Sequence, residues 1–502
     1  MSTTNKKFSR TAVFCTGFLL FLTLFASASL AQDLDLNIKI ASLSPETVRV
    51  EGKFLPRQIA QSNKTWSFLR SFAGTENLGE RISDFSLIDE QNKVVSFKKL
   101  APGEYLAESE TTNWSYSINV KPSPNITAMA HVSWVAGEQG ILMLGDLLPQ
   151  FNAENNQPIR ARVKFELPKD WKVISSERSL GENAFEAENV GKAIFLIGKN
   201  WREKEIASDK ISLNLAISGE WQFSDAEVSE ITTEIFKEYR KLFGTIPTEK
   251  VQISLVRFPR ETKFGRWEAE ARGANLLIVS SDMPFKTLSL QRLHEQLRHE
   301  LFHLWIPNNL ALTGNYDWFY EGFTVYQALR TGIQTNRIRF EDFLNTLSEA
   351  YNLENLQNQK ISLTEASKVR WSGANNQVFA RGMIVAFLCD VALLRRSKGK
   401  RSIDEIFQEV YQKHRLPTSP RDGNAAILNV LKNFAELQTI IEKYITGAEK
   451  INWETDLQSV GIKAVAETNF ITRLEVIAKP KGQQKDFLKK LGYNNWQKIS
   501  EK

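Results

Sequence analysis

The first part of the chain alternates apolar and polar residues at a period of two. The alternation runs through segments 34–40 and 47–51 and returns in 163–167 and 211–215. Successive side chains of a strand point to opposite faces, so this pattern is typical of strands buried on one side. Proline and glycine turns separate the segments, which favours hairpins. We therefore predict an N-terminal antiparallel β domain over residues 32–216.

The period changes near Asp225, where apolar residues begin to recur every three or four positions. One helical face carries Ile231, Ile235, Tyr239 and Phe243. Gly244 is placed to end that helix, and the apolar run 251–256 predicts a strand. Helical patterns then continue from about residue 288 to about residue 450. Strands followed by helices indicate an α+β domain over 217–450, with residues 451–502 as a C-terminal tail.

Within this region, residues 290–305 form the most regular predicted helix. They contain neither glycine nor proline, Ser289 is a candidate N-cap, and Pro307 is expected to stop the helix. Five leucines form one apolar stripe, at Leu290, Leu293, Leu297, Leu301 and Leu304. At about 100° per residue, His299 and His303 face away from that stripe. A helix with these two faces is expected in the middle of a domain.

The start of the chain has the order of a signal peptide. Three basic residues by position 10 precede an apolar run, and small residues follow up to Ala31. This order predicts a signal peptide over residues 1–31 that is cleaved near Ala31, and an uncleaved signal anchor is the alternative. Either case exports the rest of the chain, which we expect to be periplasmic or secreted. No stable membrane partner is expected unless the segment is retained.

Composition narrows the function classes further. The 502 residues are too many for one core, so two or three domains are expected. Removing residues 1–31 lowers the formal net charge from +6 to +3, which gives no basis for binding nucleic acid. Of two cysteines, Cys15 lies in the signal segment and Cys389 in an apolar helix. The mature chain therefore has no internal disulfide, and Cys389 is expected to be a core residue.

Residues 299–303 read His-Glu-Leu-Phe-His in a chain with only five histidines. Imidazoles four residues apart on a helix project to one side, at a spacing that suits one zinc ion. Glu300 between them can reach a water molecule at that metal as a general base. We therefore predict His299 and His303 as metal ligands, Glu300 as the catalytic residue, and one Zn²⁺ per chain. His294 lies on a different face and is expected to be a packing or surface residue.

The best candidate for a third ligand is Glu321, which lies inside the aromatic, helix-like segment 317–326. A carboxylate among aromatic residues is costly to bury unless it is paired or bound to a metal. Turn residues in 307–315 allow the chain to return antiparallel to the first helix. Two histidines and one glutamate leave a fourth position open, as catalytic zinc sites do. The alternative is a carboxylate that caps or bridges on a core helix.

Together, these motifs resemble the glycyl aminopeptidase family of the gluzincin metallopeptidases. The resemblance is carried by residues 299–305, 318–326, 381–390 and 399–405, within a region of about 216–450. It implies a gluzincin (thermolysin-like) catalytic domain with a helical C-terminal part. By position, it implies zinc ligation by His299, His303 and Glu321, with Glu300 as the base. Relatives often carry a C-terminal PDZ module, for which the tail 451–502 is too short.

The chain departs from this family where an oxyanion donor is expected. Before the Arg381-Gly382 pair the family commonly has tyrosines, but residues 376–380 contain no hydroxyl and Phe379 lies near that position. Losing such a donor costs on the order of 10²–10³ in rate. The alternatives are Tyr316, Tyr320, Tyr326 and Tyr351. Asp317, one turn before Glu321, is a candidate to orient a ligand.

The family's substrate-binding strand has two rival matches here, residues 264–268 and 270–275. The second precedes an apolar run and is therefore predicted to be an edge strand with a loop. An acidic residue in it can bind the α-amino group of a substrate, or it is an ordinary surface charge.

These observations lead to one expected function and two alternatives. We expect an exported zinc-dependent peptidase, an aminopeptidase that hydrolyses peptide substrates. The first alternative is a catalytically impaired relative that binds zinc or peptides at the cell envelope. The second is a structural or envelope-interaction protein in which the His-Glu-x-x-His run arose by coincidence.

Overall fold

The computed structural model describes residues 33–55, 64–151, 158–208, 211–357, 360–468 and 471–493. The predicted signal peptide lies outside these residues. Within them, a β domain is followed by an α+β part that is mainly helical in its second half, which confirms the predicted fold class.

The N-terminal domain contains mainly short strands. Along the described residues these are β1 (Leu34–Leu43), β2 (Glu46–Phe54), β3 (Thr65–Ser67), β4 (Ile82–Ile88), β5 (Phe97–Ala101), β6 (Glu104–Ala107), β7 (Asn113–Asn119), β8 (Trp134–Ala136), β9 (Gln139–Met143), β10 (Ala161–Glu166), β11 (Lys172–Ile174), β12 (Arg178–Gly181), β13 (Ala184–Ala187) and β14 (Ile194–Gly198). One short helix, α1 (Leu144–Leu147), follows β9.

The period-two pattern produces these strands as predicted. Leu34, Leu36 and Ile38 of β1 are buried, while Asp35 and Lys39 between them are exposed. The strands form a seven-stranded sheet (β12-β13-β10-β1-β2-β7-β4), a four-stranded sheet (β11-β14-β9-β8) and a three-stranded sheet (β3-β6-β5). Among the described strands of this domain, β1 and β10 pair in parallel and the other pairs are antiparallel.

A separate five-stranded sheet opens the second part. Its strands are β15 (Arg202–Ser208), β16 (Ile211–Ile217), β17 (Lys250–Arg257), β18 (Trp267–Arg272) and β19 (Asn275–Ser280), in the order β15-β16-β17-β19-β18. The predicted boundary at residues 216 and 217 therefore falls inside β16. Because β16 pairs in parallel with β17, segment 211–215 belongs to this second sheet and not to the N-terminal domain.

Helices and short strands make up the rest of the described chain. The helices are α2 (Asp225–Phe243), α3 (Lys286–Phe302), α4 (Thr324–Gln334), α5 (Phe340–Asn355), α6 (Leu363–Lys368), α7 (Gly382–Arg396), α8 (Asp404–His414), α9 (Gly423–Leu431), α10 (Gln438–Ile440), α11 (Glu454–Ser459) and α12 (Gln483–Leu491). The short strands are β20 (Leu312–Thr313), β21 (Arg421–Asp422), β22 (Ile462–Ala466) and β23 (Thr472–Val476).

Helix α2 follows its local sequence closely. Ser224 and Glu227 form a capping box at its start, which satisfies two backbone N–H groups. Gly244 ends the helix as predicted, because it adopts a φ of 70° that disfavours residues with a Cβ atom, and its N–H bonds the carbonyl of Arg240. The apolar face packs into the main core.

Helix α3 begins earlier than predicted. Its first residue is Lys286, and Ser289 lies inside the first turn, where its hydroxyl bonds Asp282 rather than capping the helix. The N-cap prediction was therefore wrong. The leucine stripe is buried apart from Leu290, which is half-buried. After the helix, the ring of Trp305 stacks on Phe243 of α2 with 5.4 Å between centroids.

The described part of the segment after residue 450 packs into the main apolar core of the second part of the chain. Trp453, Leu474 and Phe487 are buried in the cluster that holds the metal helix α3. Among the described helices, Gln377–Arg396 is long and apolar enough to cross a bilayer, but 89% of its apolar window is buried inside the protein. Burial of this kind is also what a core helix shows.

Candidate metal centre

Three side chains converge at the C-terminal end of α3. His299 Nε2 lies 3.0 Å from His303 Nε2 and 3.1 Å from Glu321 Oε2, and His303 Nε2 lies 3.6 Å from the same oxygen. With bonds of about 2.0–2.2 Å, neighbouring ligands of a tetrahedral zinc ion lie about 3.3–3.6 Å apart. The three donor atoms therefore have the types and spacing that a zinc ion requires.

A hydrogen bond at the second ring nitrogen orients one of the two imidazoles. His303 Nδ1 donates a hydrogen bond to the carbonyl of Ile306 at 3.0 Å, which directs Nε2 toward Glu321. Such a bond fixes the tautomer and the ring plane of a metal ligand. For His299, the hydrogen bonds of the described residues include no such partner at Nδ1. His303 itself is the C-cap of α3, at the point where the helix ends.

Glu321 reaches the histidines from a wider helical turn than the sequence predicts. Residues Trp318–Phe323 form a π-helical turn that leads directly into α4. Such turns insert an extra residue into a helix and often occur at functional sites. The carboxylate is buried, and its two oxygens have different partners. Oε2 faces the histidines, while Oε1 accepts a hydrogen bond from Arg370 Nη1 at 3.0 Å.

Arg370 was not anticipated from the sequence. It lies 49 residues after Glu321, in a short turn (Arg370–Ser372), and no periodic pattern points to it. Its Nη1 also bonds Asp317 Oδ1 at 3.0 Å. Asp317, the predicted orienting residue, therefore contacts this guanidinium; no hydrogen bond from it to either histidine is found among the described residues.

Two glycines bring the ligand-bearing turn close to α7. A Cβ atom on Gly322 would lie 2.6 Å from the Cα of Gly382, closer than real side chains approach. A second π-helical turn, Gln377–Arg381, precedes Gly382. Arg381 is fully buried and bonds Glu354 at 2.7 Å, so in the Arg381-Gly382 pair the arginine ties the core together and the glycine permits the helices to cross.

In the absence of a metal, burial and neighbouring charges shift the pKa values of the four groups in different directions. Burial raises the pKa of Glu300 to about 8. Burial opposes ionisation of Glu321 too, but Arg370 and the histidines outweigh it and hold its pKa well below the usual range. Burial lowers the pKa of His299, whereas for His303 the charges of Glu321 and Glu300 outweigh burial and raise the pKa to about 9. Glu321 is therefore ionised at neutral pH, and His303 and Glu300 carry protons.

Glu300 lies beside the donor atoms without being one of them. Its Oε1 is 3.9 Å from His299 Nε2, and only 5% of its side chain is exposed. Glu300 and His299 line a cavity of about 1640 Å³, and Tyr320 and Phe379 also form part of its wall. That volume is large enough for a short peptide.

Of the tyrosines considered as oxyanion donors, Tyr320 is the one that lines this cavity. Its ring centroid is 6.3 Å from that of His303. Tyr326 instead bonds Asp390 in the core, and Tyr351 stacks on Trp453. Tyr316 is buried against Tyr320. Phe379 lies 6.3 Å from the His299 ring, centroid to centroid, so a phenyl ring occupies this wall of the site.

The edge strand β18 forms another wall. It pairs with β19 on one side only, and the ring of Trp267 at its start lies 6.2 Å from that of His299. The two candidate substrate-binding segments, residues 264–268 and 270–275, both contribute to this strand. Strand β18 contains the end of the first segment and the start of the second. Glu268 pairs with Arg266, and Glu270 pairs with Arg272.

The N-terminal domain covers the far end of β18. His131, which follows a short helical turn (Ile126–Ala130), contacts the Glu270 carboxyl through Nδ1, and its carbonyl accepts a hydrogen bond from Arg272 at 3.3 Å. Phe72 lies under the guanidinium of Arg272. His131 is buried, and among the described residues it is not one of the donor groups that converge at His299, His303 and Glu321.

The remaining histidine of α3 is buried away from the donor atoms. Arg298 Nη1 donates to His294 Nδ1 at 3.1 Å. Burial and this guanidinium lower the pKa of His294 to about 3, so the ring is neutral. The structure thus brings His299, His303, Glu300 and Glu321 together and leaves His294 out.

The fold is similar to solved structures of M1 zinc metallopeptidases. An aminopeptidase N family protein from Idiomarina loihiensis is 15% identical with a TM-score of 0.72, over 86% of this chain and 79% of that chain. An M1 zinc metallopeptidase from Deinococcus radiodurans is 12% identical with a TM-score of 0.55, over 84% and 95%. A mutant of the latter, bound to a Tyr-Ser-Ala substrate, is also 12% identical with a TM-score of 0.55, over 84% and 96%.

At these identities the similarity establishes the fold alone. The chain has the M1 aminopeptidase-like α+β fold, with an N-terminal β domain before a mainly helical part. No protein-family model and no curated protein matches the sequence.

Proposed function

We propose that this protein is a zinc-dependent peptidase in which His299, His303 and Glu321 hold the metal. The observation that carries the proposal is the convergence of three donor atoms, 3.0–3.6 Å apart, beside the buried carboxyl of Glu300. The donor set is the one that catalytic zinc sites use, with one corner left for water. The similarity to M1 zinc metallopeptidases supports this reading, and the glycyl aminopeptidase type remains part of the proposal.

Zinc, when bound, would supply a Lewis acid that polarises the scissile carbonyl and lowers the pKa of water. Glu300 is the group in the chain that moves the proton. Without a metal, burial raises its pKa to about 8; the positive charge of a bound zinc would favour the ionised carboxylate, which could accept a proton from the attacking water and then deliver it to the leaving amine. Tyr320 is the hydroxyl closest to this chemistry among the tyrosines considered above.

Strand β18 accounts for how a peptide would be oriented. Its free edge offers backbone groups with which an extended substrate can pair. Only about three residues, or about 10 Å, separate Trp267 beside the metal centre from Glu270 at the covered end. One or two substrate residues fit in that interval, which favours an exopeptidase.

The charge of Glu268, which lies between Trp267 and Glu270 on β18, favours an aminopeptidase. Among the described residues, Glu270 contacts both His131 and Arg272, whereas Glu268 pairs with Arg266, whose side chain is 46% exposed. A substrate ammonium group can displace that partly exposed arginine. We therefore propose Glu268 as the group that receives the α-amino end.

The decisive experiment compares Glu300→Gln with Glu295→Gln. Glu295 is a half-exposed acid of the same helix that pairs with Arg292, so its variant controls for the loss of one carboxylate. We expect Glu300→Gln to retain one zinc per chain and to lose hydrolysis of a peptide library, while Glu295→Gln retains both. Hydrolysis by zinc-reconstituted Glu300→Gln at the parent rate would exclude Glu300 as the base. N-acetylated peptides should resist cleavage; equal cleavage would exclude the aminopeptidase assignment.

Phe379 favours a second candidate function, a catalytically impaired zinc- or peptide-binding protein. A phenyl ring stands beside His299 where a hydroxyl donor is expected, and the loss of such a donor slows acyl transfer. In this case the zinc-loaded parent would bind peptides from the library but release them uncut. The same digest, followed by a peptide-binding titration, separates the two functions.

We also propose that the chain is exported, on the basis of the basic, apolar and small-residue order of residues 1–31. Mass analysis of the protein recovered from its native host should give a chain that starts at Gln32. A mature chain that retains residues 1–31 would instead support the signal-anchor alternative.

A further inference from the structure

Arg370 is fixed on several sides at the wall of the cavity. Its Nη1 bonds both Asp317 and Glu321 at 3.0 Å, and its Nε bonds Asn375 at 3.1 Å. The guanidinium carbon lies 4.5 Å from the ring centroid of Trp371 and 5.1 Å from that of Phe379. Only 10% of the side chain is exposed. A guanidinium held by hydrogen bonds in its plane and rings against its faces has little freedom to move.

This arrangement gives the two oxygens of Glu321 different tasks. Oε2 faces His299 and His303, whereas Oε1 is occupied by Arg370. A carboxylate whose two oxygens are both free can bind a metal through both of them. With Oε1 held by a charge-assisted hydrogen bond, a metal at the triad meets Oε2 alone.

We propose that Arg370 is a positioning residue of the metal centre, which restricts Glu321 to one-oxygen ligation and so keeps the fourth corner of the site open. The proposal rests on the proposed ligation of zinc by Glu321. Asp317 supports it because it accepts a second hydrogen bond from the same Nη1 atom and so helps to hold the guanidinium in place. Phe379 supports it as well, since the phenyl ring lies against the guanidinium and adds no hydrogen-bonding group there.

Residues that orient a metal ligand in this way are typically worth about 10–100-fold in metal affinity or activity.

The experiment uses Co²⁺ as a spectroscopic probe in the full-length chain. The visible absorption of Co²⁺ is strong in a four-coordinate site and weaker when a fifth ligand joins. We expect the parent to show the strong band, and Arg370→Ala to show a weaker one because Glu321 now binds through both oxygens. Arg339→Ala, which removes an equal charge that is 65% exposed and paired with Asp342, should match the parent. With zinc, kcat for peptide hydrolysis should fall about 10–100-fold in Arg370→Ala.

Additional variants and a rescue experiment distinguish a positioning role of Arg370 from a role in folding. Asp317→Asn keeps Arg370 but loosens its anchor, and it should shift the Co²⁺ band part of the way. Added guanidinium ion should restore the parent band in Arg370→Ala, which a misfolded variant would not show. An Arg370→Ala spectrum equal to the parent, or a parent that binds no Co²⁺, overturns the proposal. A shifted band in a chain that hydrolyses no peptide upholds the positioning role and refutes the proposed peptidase function.

Discussion

Raising the pH from 6 to 8 should increase the zinc affinity of this protein by about 100-fold. Zinc needs the Nε2 lone pair of His303, but in the metal-free protein Glu321 and Glu300 raise the pKa of that imidazole to about 9. Each zinc that binds below pH 9 must therefore displace a proton. One displaced proton changes the affinity about tenfold per pH unit, or about 1.4 kcal/mol.

The size of the effect distinguishes this centre from an ordinary histidine site. A histidine with the usual pKa of about 6.5 is mostly neutral by pH 7, so the same pH change would increase the affinity only about fourfold. His299 adds no further proton, because burial lowers its pKa. Glu300, with a pKa of about 8, is the other group that titrates in this range, and Glu300→Gln removes it.

The assay is a competition titration against a chelator of known pH dependence, repeated at half-unit steps from pH 6 to 8. A dye-based count of released protons at pH 7 gives an independent value, expected to be about one per zinc in Glu300→Gln. An affinity that changes fourfold or less would show that His303 is already neutral in the metal-free protein. The proposed coupling of His303 to the two carboxylates would then be wrong.

Three further predictions concern the centre and its supports. Glu321→Ala should reduce the zinc content below one per chain, as measured by atomic absorption, and unchanged stoichiometry would remove Glu321 from the ligand set. Phe379→Tyr should increase kcat by up to about 10²-fold if the hydroxyl reaches the oxyanion, and an unchanged kcat would show that another group serves there. Gly322→Ala should destabilise the protein by about 1–3 kcal/mol in denaturant unfolding, because its Cβ would overlap Gly382; wild-type stability would contradict the close contact.

The sequence could predict helix α3 and its candidate metal ligands because one face of the helix is apolar and the other carries the histidines. The leucine stripe must be buried, and that requirement alone turns His299 and His303 toward the opposite side. Glu321 could also be predicted, since a carboxylate among aromatic residues needs a partner or a metal. The structure brings these groups together, although the N-cap of α3 and the type of helical turn at Glu321 differ from the prediction.

What the sequence could not predict depends on contacts between distant segments. Arg370 lies in a turn with no periodicity, and its role follows only from its distance to Glu321. The contact between His131 and Glu270 joins two domains, and neither local sequence pattern indicates it. The predicted boundary at residues 216 and 217 falls inside β16 for a related reason: β16 alternates like the strands before it, and only its pairing with β17 assigns it to the second sheet.

The separation of the two sides of α3 affects how chains of this kind can diverge. Leu293, Leu297 and Leu301 belong to the main apolar core, whereas His299 and Glu300 are buried polar groups outside that apolar cluster. A conservative substitution such as Glu300→Gln can therefore remove the chemistry while the leucine stripe stays unchanged. Related chains with this fold can therefore serve as binding proteins after the catalytic residues are lost. The same helix can regain them by substitution.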